Sequence, residues 1–144
     1  MKHLRWAGVR VPLLLLPLPF LALGGCSAPV FSIVDKKTCK GVDGSGKPQD
    51  ETAAFAPTDG RVCVWFSYAN AGAGQVVKAK FKHTDPLGTE STEEVEQPLK
   101  PGNGSAVAEL SGLDGAPLAV GKYTVELTNQ ADVGFGPPLE FSVQ

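Results

Sequence analysis

The chain is poor in the residues that most chemistry needs. It has two histidines, His3 and His83, one methionine and three cysteines in 144 residues. Only His83 lies beyond the N-terminal segment, so a Ser–His–acid site would have to be built on that one imidazole. No Gly-x-Ser-x-Gly elbow occurs. No cysteine or histidine has a second one close by, so the spacing of a metal site is missing. There is no lysine- or arginine-rich tract, and with it goes the electrostatic footprint of a nucleic-acid binder. No segment carries an apolar stripe at helical spacing. The one long apolar run, residues 11–23, is interrupted by Pro12, Pro17 and Pro19. It also falls short of the roughly 20 residues of a membrane-spanning helix.

What is present begins at the N-terminus. Lys2, Arg5 and Arg10 precede the apolar run without any acid, and "GGC" follows it. Charged, apolar and small segments in that order form a secretory signal. The ending "LGGC", Leu23 to Cys26, resembles the lipobox of bacterial lipoproteins. That resemblance implies cleavage before Cys26, a diacylglyceryl group on its thiol and acylation of the new amino group. The expected division is a signal peptide at 1–25, a lipid-anchored linker at 26–30 and one folded domain at 31–144. Two or more acyl chains hold a protein on a membrane stably, where one does not. Ser27, rather than an aspartate, follows the cysteine, which by the same resemblance implies the outer membrane. The expected partners are the membrane, through the lipid, and an envelope protein.

Removing 25 of the 144 residues leaves 119, enough for one domain with a real core. Ten basic and 15 acidic residues remain, a formal charge of −5. With Cys26 assigned to lipid, Cys39 and Cys63 are left as a pair. Export to an oxidising compartment predicts a disulfide between them. Closing that loop would stabilise the fold by roughly 3 kcal/mol on the chain-entropy model.

The remainder reads as strands and turns, punctuated by 17 glycines and 12 prolines across the chain. "VFSIV" (30–34) is a short strand, and 40–60 is turn-rich with Phe55 its apolar exception. "RVCVWFSYAN" (61–70) is apolar on both faces, which predicts a central strand. "QVVKAKFKH" (75–83) alternates, with Val77, Ala79 and Phe81 inward and Lys78, Lys80 and Lys82 outward. The turn "DPLG" and the glutamate-rich "TESTEEVEQ" complete a hairpin with lysines opposite glutamates. "SAVAEL", "GKYTVELTN" and "PLEFSVQ" are further strands. About seven strands without helices predict an all-β, antiparallel sandwich. "PLAVGKYTVEL" and the closing Phe141-x-Val143 resemble the last strands of immunoglobulin-like and fibronectin-type domains. Tyr123 would then be the corner tyrosine, bonded back across the end of the sandwich.

"GVDGSGKP" (41–48) nearly spells a phosphate-binding loop. Pro48 stands where a Mg²⁺-binding hydroxyl is required, lacks an N–H, and biases Lys47 away from helical angles. No nucleotide is expected, and no metal or other cofactor: Asp43, Asp59, Asp114 and Asp132 sit in turns for ordinary turn reasons. The expected function is non-catalytic protein binding, with Trp65, Tyr68, Lys78, Lys80 and Lys82 as candidate contacts. The alternative is a carbohydrate- or small-ligand-binding sandwich, which requires exposed aromatics.

Overall fold

The computed structural model describes Gly25 and residues 27–144. The expectations placed on residues 1–24 and on Cys26 lie outside the described residues. Among the described residues nine strands form, rather than about seven. They are β1 (Ser32–Val42), β2 (Pro48–Glu51), β3 (Ala54–Phe55), β4 (Arg61–Ala71), β5 (Val76–Thr84), β6 (Glu90–Pro98), β7 (Gly102–Ser111), β8 (Gly121–Thr128) and β9 (Leu139–Val143). The two additional strands, β2 and β3, are four and two residues long, too short to show alternation. The strands make two sheets, ordered β2-β1-β4-β7 and β3-β9-β8-β5-β6. All pairings are antiparallel except the short one between β3 and β9.

The core lies between the sheets and follows from period-two alternation. Val62, Val64, Phe66 and Tyr68 of β4 turn inward against Val77, Ala79 and Phe81 of β5. Tyr123, Val125 and Leu127 of β8 and Phe141 and Val143 of β9 complete it. Each large apolar side chain so buried contributes roughly 1.5–3 kcal/mol. Phe55 also enters the core, edge-on to Phe141, so even the two-residue β3 is fixed by burial.

β1 runs eight residues past the expected end of its strand, through "DKKTCKGV". Its polar sequence hides this. Lys36 occupies an inward position opposite Phe66. Its ammonium escapes the core by donating to the carbonyls of Phe135, at 2.9 Å, and Pro137. Burial lowers the Lys36 pKa, and the nearby Glu126 carboxylate opposes that shift.

The chain enters at one end of the sandwich, where Asn70 Nδ2 donates to Val30 O at 3.3 Å. The opposite end gathers the Asp85–Gly88 turn, the loop 112–120 and Gln144. Among the described residues, no helix is long and apolar enough to cross a membrane.

Candidate functional site

The near-motif "GVDGSGKP" is the turn of the β1–β2 hairpin. β1 pairs with β4 only as far as Cys39 opposite Cys63. Beyond that point the hairpin leaves β4, and its turn folds back over the outer face of the sheet. There Gly46 O accepts the Trp65 indole N–H at 2.7 Å and the Ser105 hydroxyl at 3.5 Å. The turn is closed by Asp43, whose Oδ1 accepts Ser45 N–H at 2.8 Å, Ser45 O–H at 2.6 Å and Lys47 N–H at 3.0 Å. Those bonds, the Ser45 hydroxyl first, hold the Asp43 pKa below its ordinary value. In a phosphate-binding loop such N–H groups face the anion. Here the chain's own carboxylate takes that place.

This roof decides the fate of several expected site residues. Trp65, on the outer face of β4 between Lys37 and Val107, is half-buried beneath the turn. Tyr68 is not on a surface at all. It is 5 % exposed, belongs to the core and donates its hydroxyl to Lys100 O at 3.2 Å. The expectation that Tyr68 serves as a contact is corrected, because its position in β4 points between the sheets. The aromatic platform that a carbohydrate-binding reading requires is therefore not offered by this pair.

The expected disulfide is not formed in this structure. Cys39 and Cys63 stand directly opposite each other, yet both are buried free thiols. Their sulfurs are turned to separate acceptors. Cys39 Sγ lies 3.6 Å from Cys63 O, while Cys63 Sγ lies 3.9 Å from Lys40 O and 3.7 Å from Glu109 Oε1. Burial raises both thiol pKa values, and for Cys63 burial together with the Glu109 carboxylate pushes it up to about 11. Such thiols stay protonated and are poor nucleophiles.

Lys78, Lys80 and Lys82 line the outer face of β5 as expected, but none stands free. Lys82 meets Glu90 at 2.8 Å. Lys78 and Lys80 share Glu94 at 3.5 and 3.8 Å, and both reach Asp132 at 2.6 and 2.7 Å. Asp132 comes from the β8–β9 loop, 54 residues from Lys78 in sequence, and is the member that strand alternation could not supply. Hydrogen bonds from Lys78 and then Lys80 depress its pKa to about 2.

His83 is inward-facing and structural. Its ring stacks on Tyr123 at 4.5 Å, and Nε2 contacts Val120 O at 3.0 Å. Its other nitrogen lies 3.5 Å from the Ser91 hydroxyl, with no carboxylate bonded to the ring. Tyr123 donates to Ala119 O at 2.8 Å, the corner bond that its sequence context implied. Beside this stack an open groove of about 510 Å³ crosses sheet positions Thr84, Lys122, Thr124, Glu140 and Ser142. Tyr123 and Phe141 also border it, but both are buried, so it offers no exposed aromatic face.

No protein-family model matches the chain, and no curated protein matches it in sequence. Among solved structures it is similar to an immunoglobulin-like protein from Pseudomonas aeruginosa. That match has a TM-score of 0.59 and 15% identity, and covers 81% of this chain and 98% of that one. It is also similar to part of an alkylpurine DNA glycosylase from Pseudomonas fluorescens, solved bound to DNA containing an abasic-site analogue. There the TM-score is 0.53 and the identity 11%, over 79% of this chain and 30% of the glycosylase. Likeness at these identities is likeness of fold. Together with the two-sheet, nearly helix-free architecture, it makes this chain an immunoglobulin-like β-sandwich.

Proposed function

We propose that this protein is a lipid-tethered component of the bacterial cell envelope whose sandwich binds another envelope protein and performs no catalysis. The tether rests on "LGGC" and on the signal layout before it; Ser27 favours the outer membrane. The binding half rests on one observation. The chain enters at the Val30 end, and the opposite end presents Leu87, Leu113 and Val120, exposed to 92%, 88% and 46%. Single exposed aliphatics are ordinary. Three stand at the end farthest from Val30, which a tether at Cys26 would direct away from the membrane. This moves the candidate contact from Trp65, Tyr68 and the lysines, which the fold occupies internally, to the distal loops.

Two measurements test the two halves. The intact mass of the protein from a membrane fraction is expected to match a chain starting at Cys26 with a diacylglyceryl group. An unmodified or uncleaved chain would remove the tether. A photoreactive amino acid at Leu87 or Leu113 is expected to capture one specific neighbour in cells. Capture of none, under any growth condition, would remove the binding role.

A further inference from the structure

Among the described residues the two sheets have four edges, and three of them are blunted. β2 and β3 are short, at four and two residues. β6 is nine residues long but carries Glu90, Glu93, Glu94 and Glu96, and exposed charge is a standard guard against strand pairing. β7 is different. It is ten residues long, borders only β4, and has no charged residue from Gly102 to Ala108. Its single acid, Glu109, is paired with Arg61 at 3.5 Å. Every second N–H and C=O of such a strand points away from its one neighbour. Among the described residues, no turn or loop hydrogen bond engages the backbone of 103–110.

We propose that β7 is a strand-addition site for an extended, lysine- or arginine-bearing segment of another protein. This deepens the protein-binding reading above and rests on it. The choice of occupant comes from charge. β6 and β7 are joined by only three residues, Leu99 to Pro101, and so lie on one flank of the sandwich. A side chain of an added strand that points the same way as Ala106 and Ala108 points toward β6. Glu93, opposite the inward Phe81, stands on that side of β6. It has no basic partner among the described residues. A second copy of this chain, pairing β7 to β7, would bring two glutamate-bearing flanks together, and opposed like charges destabilise. A single basic strand meets no such repulsion. Main-chain bonds would supply affinity and alternate side chains the selectivity. The C-terminal end of β7 also runs into the loop bearing Leu113, so the edge is continuous with the distal surface.

The test is backbone amide exchange on the full chain with a decapeptide of alternating valine and lysine. The expected result is exchange slowed about tenfold or more at alternate amides of 103–110, and not on β6. The same peptide, N-methylated at alternate residues, keeps its charge but is expected to give no slowing. Glu93→Gln is expected to weaken the effect severalfold while leaving the unliganded exchange pattern unchanged. Slowing on β6 instead, equal slowing by the methylated peptide, or no slowing overturns the proposal. So does protection of β7 that rises with protein concentration alone, which would assign the edge to a second copy. If the peptide fails while Leu87 still captures a neighbour in cells, the edge proposal falls and the binding role stands.

Discussion

β6 and β7 are consecutive strands of nearly equal length on the same flank, and each ends a sheet. One is defended by four glutamates; the other is small, polar and uncharged over most of its length. The difference extends behind each edge. β6 leans on an ion-pair lattice, in which Lys78, Lys80 and Lys82 answer Glu94, Glu90 and Asp132. β7 leans on packing, with Val107 beside the roofed Trp65 and Gly104 against Tyr68. Two edges of one domain are thus stabilised by different physics, and only one remains available for a partner's backbone.

That contrast can be broken from the packing side with the largest effect. Trp65→Ala removes a half-buried ring and leaves the Gly46 carbonyl only its long contact with the Ser105 hydroxyl, so a loss of roughly 2–4 kcal/mol is expected in urea unfolding. Trp65→Phe, which keeps a ring and removes only the N–H, is expected to lose about 1 kcal/mol. Equal losses would mean that the roof is held by the hydrogen bond and not by the ring. Next comes Gly104→Val. A Cβ at 104 would lie 2.8 Å from the Tyr68 hydroxyl oxygen, so the phenol must move off Lys100 O. A destabilisation of about 1–3 kcal/mol is expected, with faster amide exchange along β7.

The electrostatic edge yields smaller changes. Lys82→Ala breaks an exposed pair with Glu90, and a loss under about 1 kcal/mol, falling further with salt, is expected. A larger, salt-insensitive loss would contradict the division between the edges. Acid sharpens the same point. The Asp132 carboxyl is depressed to about 2 by the two lysines, so its contribution is complete above its unfolded pKa and fades as pH falls toward 2. Amide exchange in the loop 129–138 should accelerate in that window while β7 is unchanged.

Period two made much of this molecule legible. β4, the β5–β6 hairpin, β8 and β9 follow directly from alternating apolar side chains, and with them the sandwich and the inward His83; the Tyr123 corner is implied instead by the resemblance to immunoglobulin-like strands. The missing parts share a physical cause, which is contact between residues distant in sequence. β1 looks polar because Lys36 sends its ammonium out to the β8–β9 loop and because Cys39 lies under a roof rather than between sheets. Asp132 belongs to the lysine lattice only through a loop that returns from far away. The cysteine count correctly drew attention to Cys39 and Cys63, but pairing arithmetic carries no side-chain orientation. Their burial and raised pKa values imply that neither is alkylated in the native protein at pH 8 and that both are alkylated in denaturant, before any reductant is added. A pair that reacts only after reduction would restore the disulfide.

The most direct measurement places a photoreactive amino acid at Ser105 on β7 and, separately, at Thr92 on β6, in the full-length protein in its own cells. The cross-linked peptides are then sequenced. The account expects adducts from Ser105 alone, joined to an extended lysine- or arginine-bearing segment of another polypeptide. Adducts from Thr92 in equal yield, adducts joining two copies of this chain, or none from Ser105 would contradict it.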